Sequence, residues 1–282
     1  MILEKTIKQA SLLLKDYNIS SHELDAEVIL SEIMGVTREF LIVNNNMIIP
    51  NNTIKEFNVA IKRRTKKEPV AYIIGKKEFW SEDFLVNKAT LVPRPETELL
   101  IYKIIKYFKN KKINILDIGT GSGCILLSIL KELKYSRGTG IDISAKAIKT
   151  AKSNAIKLNL FNSSKFKVCD LNKFNIGKYD LIVSNPPYIA SKDLKNLSKD
   201  IINFEPLVAL KGGVEGLDLI KKVIYKSNNL LKRNGLLAIE IGNHQYRKTV
   251  DILNKQGFKE LSKEYDCNEN IRCIISTKVK FF

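Results

Sequence analysis

The sequence predicts an α/β fold, a mostly parallel sheet flanked by helices, with a small helical domain in front of it. Three observations predict it. From residue 111 onward, short apolar runs alternate with helix-type segments at βαβ spacing. Gly119-Thr120-Gly121-Ser122-Gly123 joins one apolar run, 113–117, to another, 124–130. Strand, glycine turn and helix in that order bring backbone close to a ligand at a helix N-terminus. Residues 1–75 carry helix signals instead.

In order along the chain, Leu12-Leu13-Leu14 belongs to an opening helix. Ser20 with Glu23 makes a capping-box start for a second helix ending near Gly35. A third runs from about residue 53 to 66 and stops before Pro69. Residues 76–110 read as a hairpin-like connector: Phe79-Trp80 and the alternating Phe84-Leu85-Val86, a proline block, then a helix from Glu98 to Phe108. Residues 111–282 form the α/β domain. Its strands are expected at 113–117, 138–142, 166–169, 179–184 and 235–241, with helices at 124–130 and 145–158. A last strand near 272–277 precedes a tail ending at Phe282, and no internal repeat or low-complexity linker appears.

In an open parallel sheet, ligands bind beyond the carboxyl ends of the strands, and Asp117, Asp142, Asp170 and Asn185 all fall at such ends. Asn185-Pro186-Pro187-Tyr188 says the most. Asn185 can accept one N–H through its side-chain oxygen. Pro186 lacks an N–H, and Pro187 holds it extended, so its carbonyl is free to accept a second. Tyr188 can lie against a flat group. Together they suit the planar nitrogen of an amide or exocyclic amine, a poor nucleophile that needs positioning more than a strong base. The plainer reading is a Pro-Pro turn ending a strand.

Gly119, Gly121 and Gly123 form G-x-G-x-G, not the G-x-G-x-x-G of dinucleotide sites, and no Gly-Lys-Ser/Thr follows. Asp142, 21 positions after Gly121, can accept both hydroxyls of a ribose, or simply open the helix at 145–158. Asp170-Leu171 reads either as an acceptor and apolar wall for an adenine or as a strand-end loop.

Asp117-Ile118-Gly119-Thr120-Gly121, Asp142 and Asn185-Pro186-Pro187-Tyr188 together resemble the class I, Rossmann-like S-adenosylmethionine methyltransferases that modify amide or amine nitrogens. Pro69-Val-Ala-Tyr-Ile-Ile-Gly75, Glu78-Phe-Trp80, Phe84-x-Val86 and Leu91-Val-Pro-Arg-Pro-Glu-Thr-Glu98 look like the HemK/PrmC family, the protein-(glutamine-N5) methyltransferases of peptide chain release factors. The resemblance runs from about Glu27 to the C-terminus, and its Pro-Arg-Pro-Glu-Thr-Glu block discriminates best. The related ribosomal protein L3 glutamine methyltransferases share the clamp but differ after Pro-Arg.

The resemblance implies S-adenosyl-L-methionine as cofactor, without a metal. It implies cofactor contacts from Asp117, Ile118, Gly119, Thr120, Gly121, Asp142, Asp170, Leu171 and Asn185. Asn185 and Pro186 become the catalytic acceptors, and Asn185 through Tyr188 the substrate clamp. Arg94 to Glu98 would wall the site; read alone, they are an extended connector whose Glu96 and Glu98 favour a helix dipole. The implied substrate is the Gly-Gly-Gln loop of class-1 release factors, recognised by residues 1–75.

Composition selects less. A net charge of +17 invites a nucleic-acid partner, but 39 of 47 basic residues are Lys, scattered among abundant Asn and Ile. That mixture reads mainly as a solvated face, including the compact run Lys62-Arg63-Arg64-Thr65-Lys66-Lys67. The remaining reading is attraction toward an acidic protein or a ribonucleoprotein. Sequence-specific nucleic-acid binding is not expected. The rival reading is an adenine-amine DNA or RNA methyltransferase, which would use a similar clamp on a flipped base. Four cysteines without a C-x-x-C pair suit reduced, buried thiols in a cytoplasmic protein, and two isolated His argue against a metal site. No apolar run reaches membrane-spanning length.

Overall fold

This computed structural model describes residues 1–279; the tail ending at Phe282 lies outside the described residues. The helix signals of the first segment become α1 (Leu3–Asp16), α2 (His22–Met34), α3 (Arg38–Val43), α4 (Asn51–Thr65) and α5 (Val70–Ile74). A hairpin follows, β1 (Lys76–Phe79) and β2 (Glu82–Leu85), then a 3-10 turn Pro95–Thr97 and α6 (Glu98–Phe108). Next come β3 (Asn114–Ile118), α7 (Cys124–Glu132), β4 (Arg137–Asp142), α8 (Ala145–Lys157), β5 (Ser164–Val168) and β6 (Tyr179–Ser184). The chain ends with α9 (Lys199–Phe204), α10 (Asp218–Leu230), β7 (Leu231–Glu240), α11 (Tyr246–Lys255), β8 (Phe258–Tyr265) and β9 (Ile271–Lys278). Two units result: Met1–Lys76 with Ser198–Phe204, and Lys77–Leu197 with Glu205–Phe282.

The first unit closes over Leu14, Ile29, Leu30, Leu41 and Phe57, all buried. Its α2 ends as expected, with Gly35 left-handed at φ 66°. Its start differs. The N-cap is Ser21, not Ser20, and its side chain makes no capping bond. Instead His22 Nδ1 lies 2.8 Å from Ser11 Oγ on α1, so a tertiary contact marks the helix start.

The basic run 62–67 also differs from a solvated face. Arg64 is buried; it donates from Nε to Asp25 at 2.6 Å and from Nη1 to Asp200 on α9 at 2.7 Å. Arg63 forks onto both Glu68 oxygens at 2.9 Å. Only Lys62 and Lys66 in the run are exposed; Arg63, Thr65 and Lys67 are half-buried. Of the four free cysteines, Cys273 is buried and Cys124 and Cys169 are half-buried, but Cys267 is exposed, against the expectation of buried thiols.

In the second unit the sheet order is β5-β4-β3-β6-β7-β9-β8. The pairs from β5 to β7 are parallel; β9 runs antiparallel to both β7 and β8. One buried cluster, including Leu126, Ile129, Leu181 and Val183, covers one face. Another, including Leu116, Ile182, Ile220 and Ile239, covers the other. Double burial explains why the central strands read as continuous apolar runs. Edge strand β8 was not among the expected strands. Its Phe-Lys-Glu-Leu-Ser-Lys-Glu-Tyr interleaves charges, as edge strands do, and leaves no apolar run to find. The β1–β2 turn places Trp80 and Ser81 at φ 52° and 56°, the sense that matches strand twist, and Glu98 Oε1 accepts the Trp80 N–H at 2.8 Å. Among the described residues no helix is long and apolar enough to cross a membrane.

Arg64→Met is expected to destabilise the helical unit by roughly 3 kcal/mol, because it leaves the buried Asp25 carboxylate without its cation. Denaturant unfolding followed by circular dichroism measures this; a loss below ~1 kcal/mol contradicts the structural role of Arg64.

Candidate active site

β3 and β6 are neighbours, with Ile118 opposite Ser184, and the Ser184 hydroxyl donates to Ile118 O at 2.8 Å. From β3 the chain works outward through β4 to β5, then returns to β6 on the other side of β3. The loops beginning at Gly119 and Asn185 therefore leave adjacent strand ends at the switch point of the sheet, where such folds bind ligands. A cavity of roughly 510 Å³ opens there.

Residues 118–121, Asp142, Asp170, Leu171, Asn185, Pro186 and Pro187 border this cavity. Asp117 and Tyr188 do not. Asp117 lies beneath it, with no exposed surface, and Tyr188 borders a second cavity beside Gly242 and Gln245. Gly119 and Gly121 are left-handed, at φ 73° and 55°, and a Cβ on either would meet only open space. The turn thus presents bare backbone to the cavity.

Each carboxyl has distinct partners. Asp142 Oδ2 accepts the Gly121 N–H at 3.0 Å and Oδ1 accepts the Ser144 N–H at 2.9 Å. Ser144, not Asp142, caps α8 through Ala147 N. Asp142 therefore faces the glycine turn with acceptor capacity to spare for a diol. Asp170 accepts the Asn172 N–H at 2.8 Å, so it caps a 3-10 turn and borders the cavity at once. Asp117 Oδ2 accepts from Thr120 Oγ1 at 2.6 Å, while its Oδ1 is buried without a partner. Burial pushes its carboxyl up to about 7, against the Thr120 hydrogen bond and with the Asp142 charge adding to the rise. An orphaned buried carboxylate oxygen beneath a glycine cradle fits an ammonium-bearing ligand. With Asp142 at hand for a ribose and Leu171 for a ring, the donor set fits S-adenosyl-L-methionine. Among the described residues no cluster of three or more His, Cys, Asp or Glu could hold a metal ion.

The clamp is held from the far side of the chain. Asn185 Nδ2 donates to Thr97 Oγ1 at 3.2 Å, and Thr97 Oγ1 donates to Glu240 Oε2 at 2.6 Å. Tyr188 donates to Glu240 Oε1 at 3.3 Å, and its carbonyl accepts from Gln245 Nε2 at 2.9 Å. Burial pushes the Tyr188 hydroxyl upward, with Glu240 reinforcing the shift. In the Arg94–Glu98 wall, Arg94 and Thr97 border the cavity, and Arg94 donates to the buried Glu205 at 2.6 Å. Glu98 turns away to Trp80 and Glu96 is exposed. Sequence reasoning singled out neither Glu205 nor Glu240. A lone carboxyl inside the apolar run 235–241 was the available signal for the second.

The PrmC N-terminal domain family matches residues 5–75, and a methyltransferase domain family matches residues 109–276. The release factor glutamine methyltransferase of Clostridium acetobutylicum is 35% identical over 99% of both chains. That of Buchnera aphidicola subsp. Schizaphis graminum is 38% identical over 95% of this chain and 96% of its own. The chain belongs to the release factor glutamine methyltransferase family. It is accordingly an S-adenosyl-L-methionine-dependent methyltransferase. The likeness noted from Glu27 onward extends back to residue 5. Among solved structures, the hMettl16 catalytic domain aligns with TM-score 0.55 at 16% identity, over 81% of this chain and 82% of that one. A Pyrococcus furiosus methyltransferase aligns with TM-score 0.53 at 17% identity, over 70% and 88%. These two share the fold.

Two outcomes are expected at the cofactor cavity. Asp142→Ala should weaken S-adenosyl-L-methionine binding by ~1.5–3 kcal/mol, the scale of hydrogen bonds to a charged acceptor; unchanged affinity in titration calorimetry removes Asp142 from the site. The second concerns pH. A cationic ligand favours the ionised Asp117, so binding expels a proton wherever the free carboxyl still holds one. Affinity should rise with pH up to about 7 and level off above it, by at most ~10-fold per unit on the acid side. The sign for the free fold is opposite: with its pKa raised, Asp117 costs stability as pH rises from ~3.9, its unfolded value, toward that range. Affinity independent of pH between 5.5 and 8.5, measured in buffers of differing ionisation enthalpy, contradicts this role for Asp117.

Proposed function

We infer that this chain transfers a methyl group from S-adenosyl-L-methionine to the side-chain amide nitrogen of the glutamine in the Gly-Gly-Gln motif of class-1 release factors. The observation that carries the reading is the Asn185 amide, held by Thr97 at the border of the cavity with Pro186 beside it. Family membership supports the substrate class. Bound S-adenosyl-L-methionine supplies a sulfonium-activated methyl group. The chain's own residues position the acceptor. Asn185 Oδ1 takes one N–H of the substrate amide and the Pro186 carbonyl takes the other, which fixes the nitrogen and favours the positive charge that develops on it. Proton loss can follow transfer, so no side-chain base is required. Residues 1–75 form the recognition domain, 76–110 the connector with its Pro-Arg-Pro-Glu-Thr-Glu block, and 111–282 the methyltransferase domain. The recognition domain supplies binding energy remote from the reacting amide. The four free cysteines support a cytoplasmic setting.

A gain of one methyl mass on a Gly-Gly-Gln release factor, with none on an adenine-containing oligonucleotide, is the expected result. Labelling of the oligonucleotide alone would move the assignment to an adenine-amine methyltransferase, and labelling of ribosomal protein L3 alone to that relative. Asn185→Ala is expected to lower turnover on saturating release factor by at least ~100-fold while cofactor affinity falls far less. A folded Asn185→Ala chain with near-native turnover sinks the clamp mechanism.

A further inference from the structure

Resting on that reading, we propose that Thr97 and Glu240 are positioning residues that fix which end of the Asn185 amide meets the substrate. Thr97 Oγ1 stands between Glu240 Oε2, at 2.6 Å, and Asn185 Nδ2, at 3.2 Å. An ionised carboxylate only accepts hydrogen bonds, so the single Thr97 hydroxyl proton goes to Glu240. Thr97 Oγ1 then serves Asn185 as an acceptor, and only the NH₂ end of the Asn185 amide can donate to it. Oδ1 is thereby left for the substrate N–H. The two ends of an amide are nearly identical in shape, so sterics alone do not choose between them. Flipped, Asn185 would present N–H to N–H, and the substrate amide would lose one of its two acceptors.

The placement of Glu240 supports the relay. Ile239 pairs with Ser184 across the β6–β7 ladder, so Glu240 lies in the row of Asn185. It is 1% exposed at the end of an apolar strand, where a carboxylate is costly and an apolar residue would serve the core better. Its oxygens take the Thr97 and Tyr188 hydroxyls, so both ends of the tetrapeptide refer to one acidic group. Burial pushes Glu240 up to about 7; the Thr97 and Tyr188 hydrogen bonds and the Arg272 charge oppose the rise and Glu96 adds to it. Cys273 faces it from β9, its own thiol raised by burial, and the Glu240 charge also acts on Cys124. Once protonated, Glu240 can donate to Thr97 and release the Thr97 proton toward Asn185, which permits the unproductive face. Turnover should therefore carry an acid limb set by Glu240.

The test compares kcat on saturating release factor, cofactor affinity, and the pH profile of kcat. Thr97→Val keeps the shape and removes the hydroxyl; kcat should fall at least ~10-fold with cofactor affinity retained, the scale of a modest misplacement. Thr97→Ser should restore it. Glu240→Gln cannot ionise, and its amide, like the protonated acid, can donate to Thr97, so its kcat should fall toward the native level at low pH and lose the acid limb. Native kcat in Thr97→Val, a Thr97→Ser chain as slow as Thr97→Val, or an acid limb that survives in Glu240→Gln overturns the proposal. If Thr97→Val does not fold, the limb in Glu240→Gln decides alone. A native chain that methylates release factor alongside an unimpaired Thr97→Val defeats only the relay; a native chain that leaves release factor unmodified defeats the parent reading and the relay with it.

Discussion

The parallel pairing of β3 with β6 is the constraint on which the catalytic unit depends. With Ile118 opposite Ser184, and Ser184 opposite Ile239 on β7, the carboxyl ends of three strands finish in one row. The next residues out are Gly119, Asn185 and Glu240: the glycine cradle, the clamp and its buried anchor. A slip of one residue in the β3–β6 pairing would part the Ser184 hydroxyl from Ile118 O and send alternate side chains to the wrong face. The sheet is covered on both faces, and the buried carboxyls Asp117 and Glu240 stand at or next to those strand ends.

Two kinds of buried charge distinguish structure from function here. Arg64 in the helical unit is enclosed by carboxylates and a carbonyl, so its charge is matched where water is excluded. Asp117 and Glu240 in the catalytic unit are at least as deeply buried but make no ion pair among the described residues, and burial lifts both carboxyls to about 7. A fold optimised for stability alone would pair such groups or replace them. Their under-compensation is the expected mark of sites prepared for a ligand or a reacting group.

What was legible in the sequence was local. The runs 179–184 and Glu98 to Phe108 appear as β6 and α6 at the expected residues, because apolar periodicity and a preceding turn fix them without distant help. Gly119, Gly121, Asp142 and Asn185 were visible for a related reason: each ends or follows a strand whose apolar run is unmistakable. What was not legible is set by pairing across the chain. The Thr97–Glu240 bond spans 143 residues and the Asn185–Thr97 bond 88, and neither leaves a mark in any window of sequence. Strand β8 was hidden because an edge strand buries too little to be apolar. The role of Arg64 was hidden because a basic run at a helix end looks the same whether its members are solvated or enclosed.

The clamp also has a limit that follows from its chemistry. On the proposed reading, Asn185 and Pro186 meet two N–H groups on a flat nitrogen, and a glutamine amide and an adenine amine offer these alike. Neither residue can tell the two substrates apart. The choice between them must come from groups that meet the rest of the substrate. Arg94, tied to Glu205, and Leu207 and Val208, exposed where they border the cavity, are fixed features of that kind. Family membership selects the glutamine side chain, so the apolar lip and the Arg94 wall are where a narrow peptide loop, rather than a flat base, would have to be accommodated. On this reading Asn185 and Pro186 would account for the reaction type, and their surroundings for the substrate.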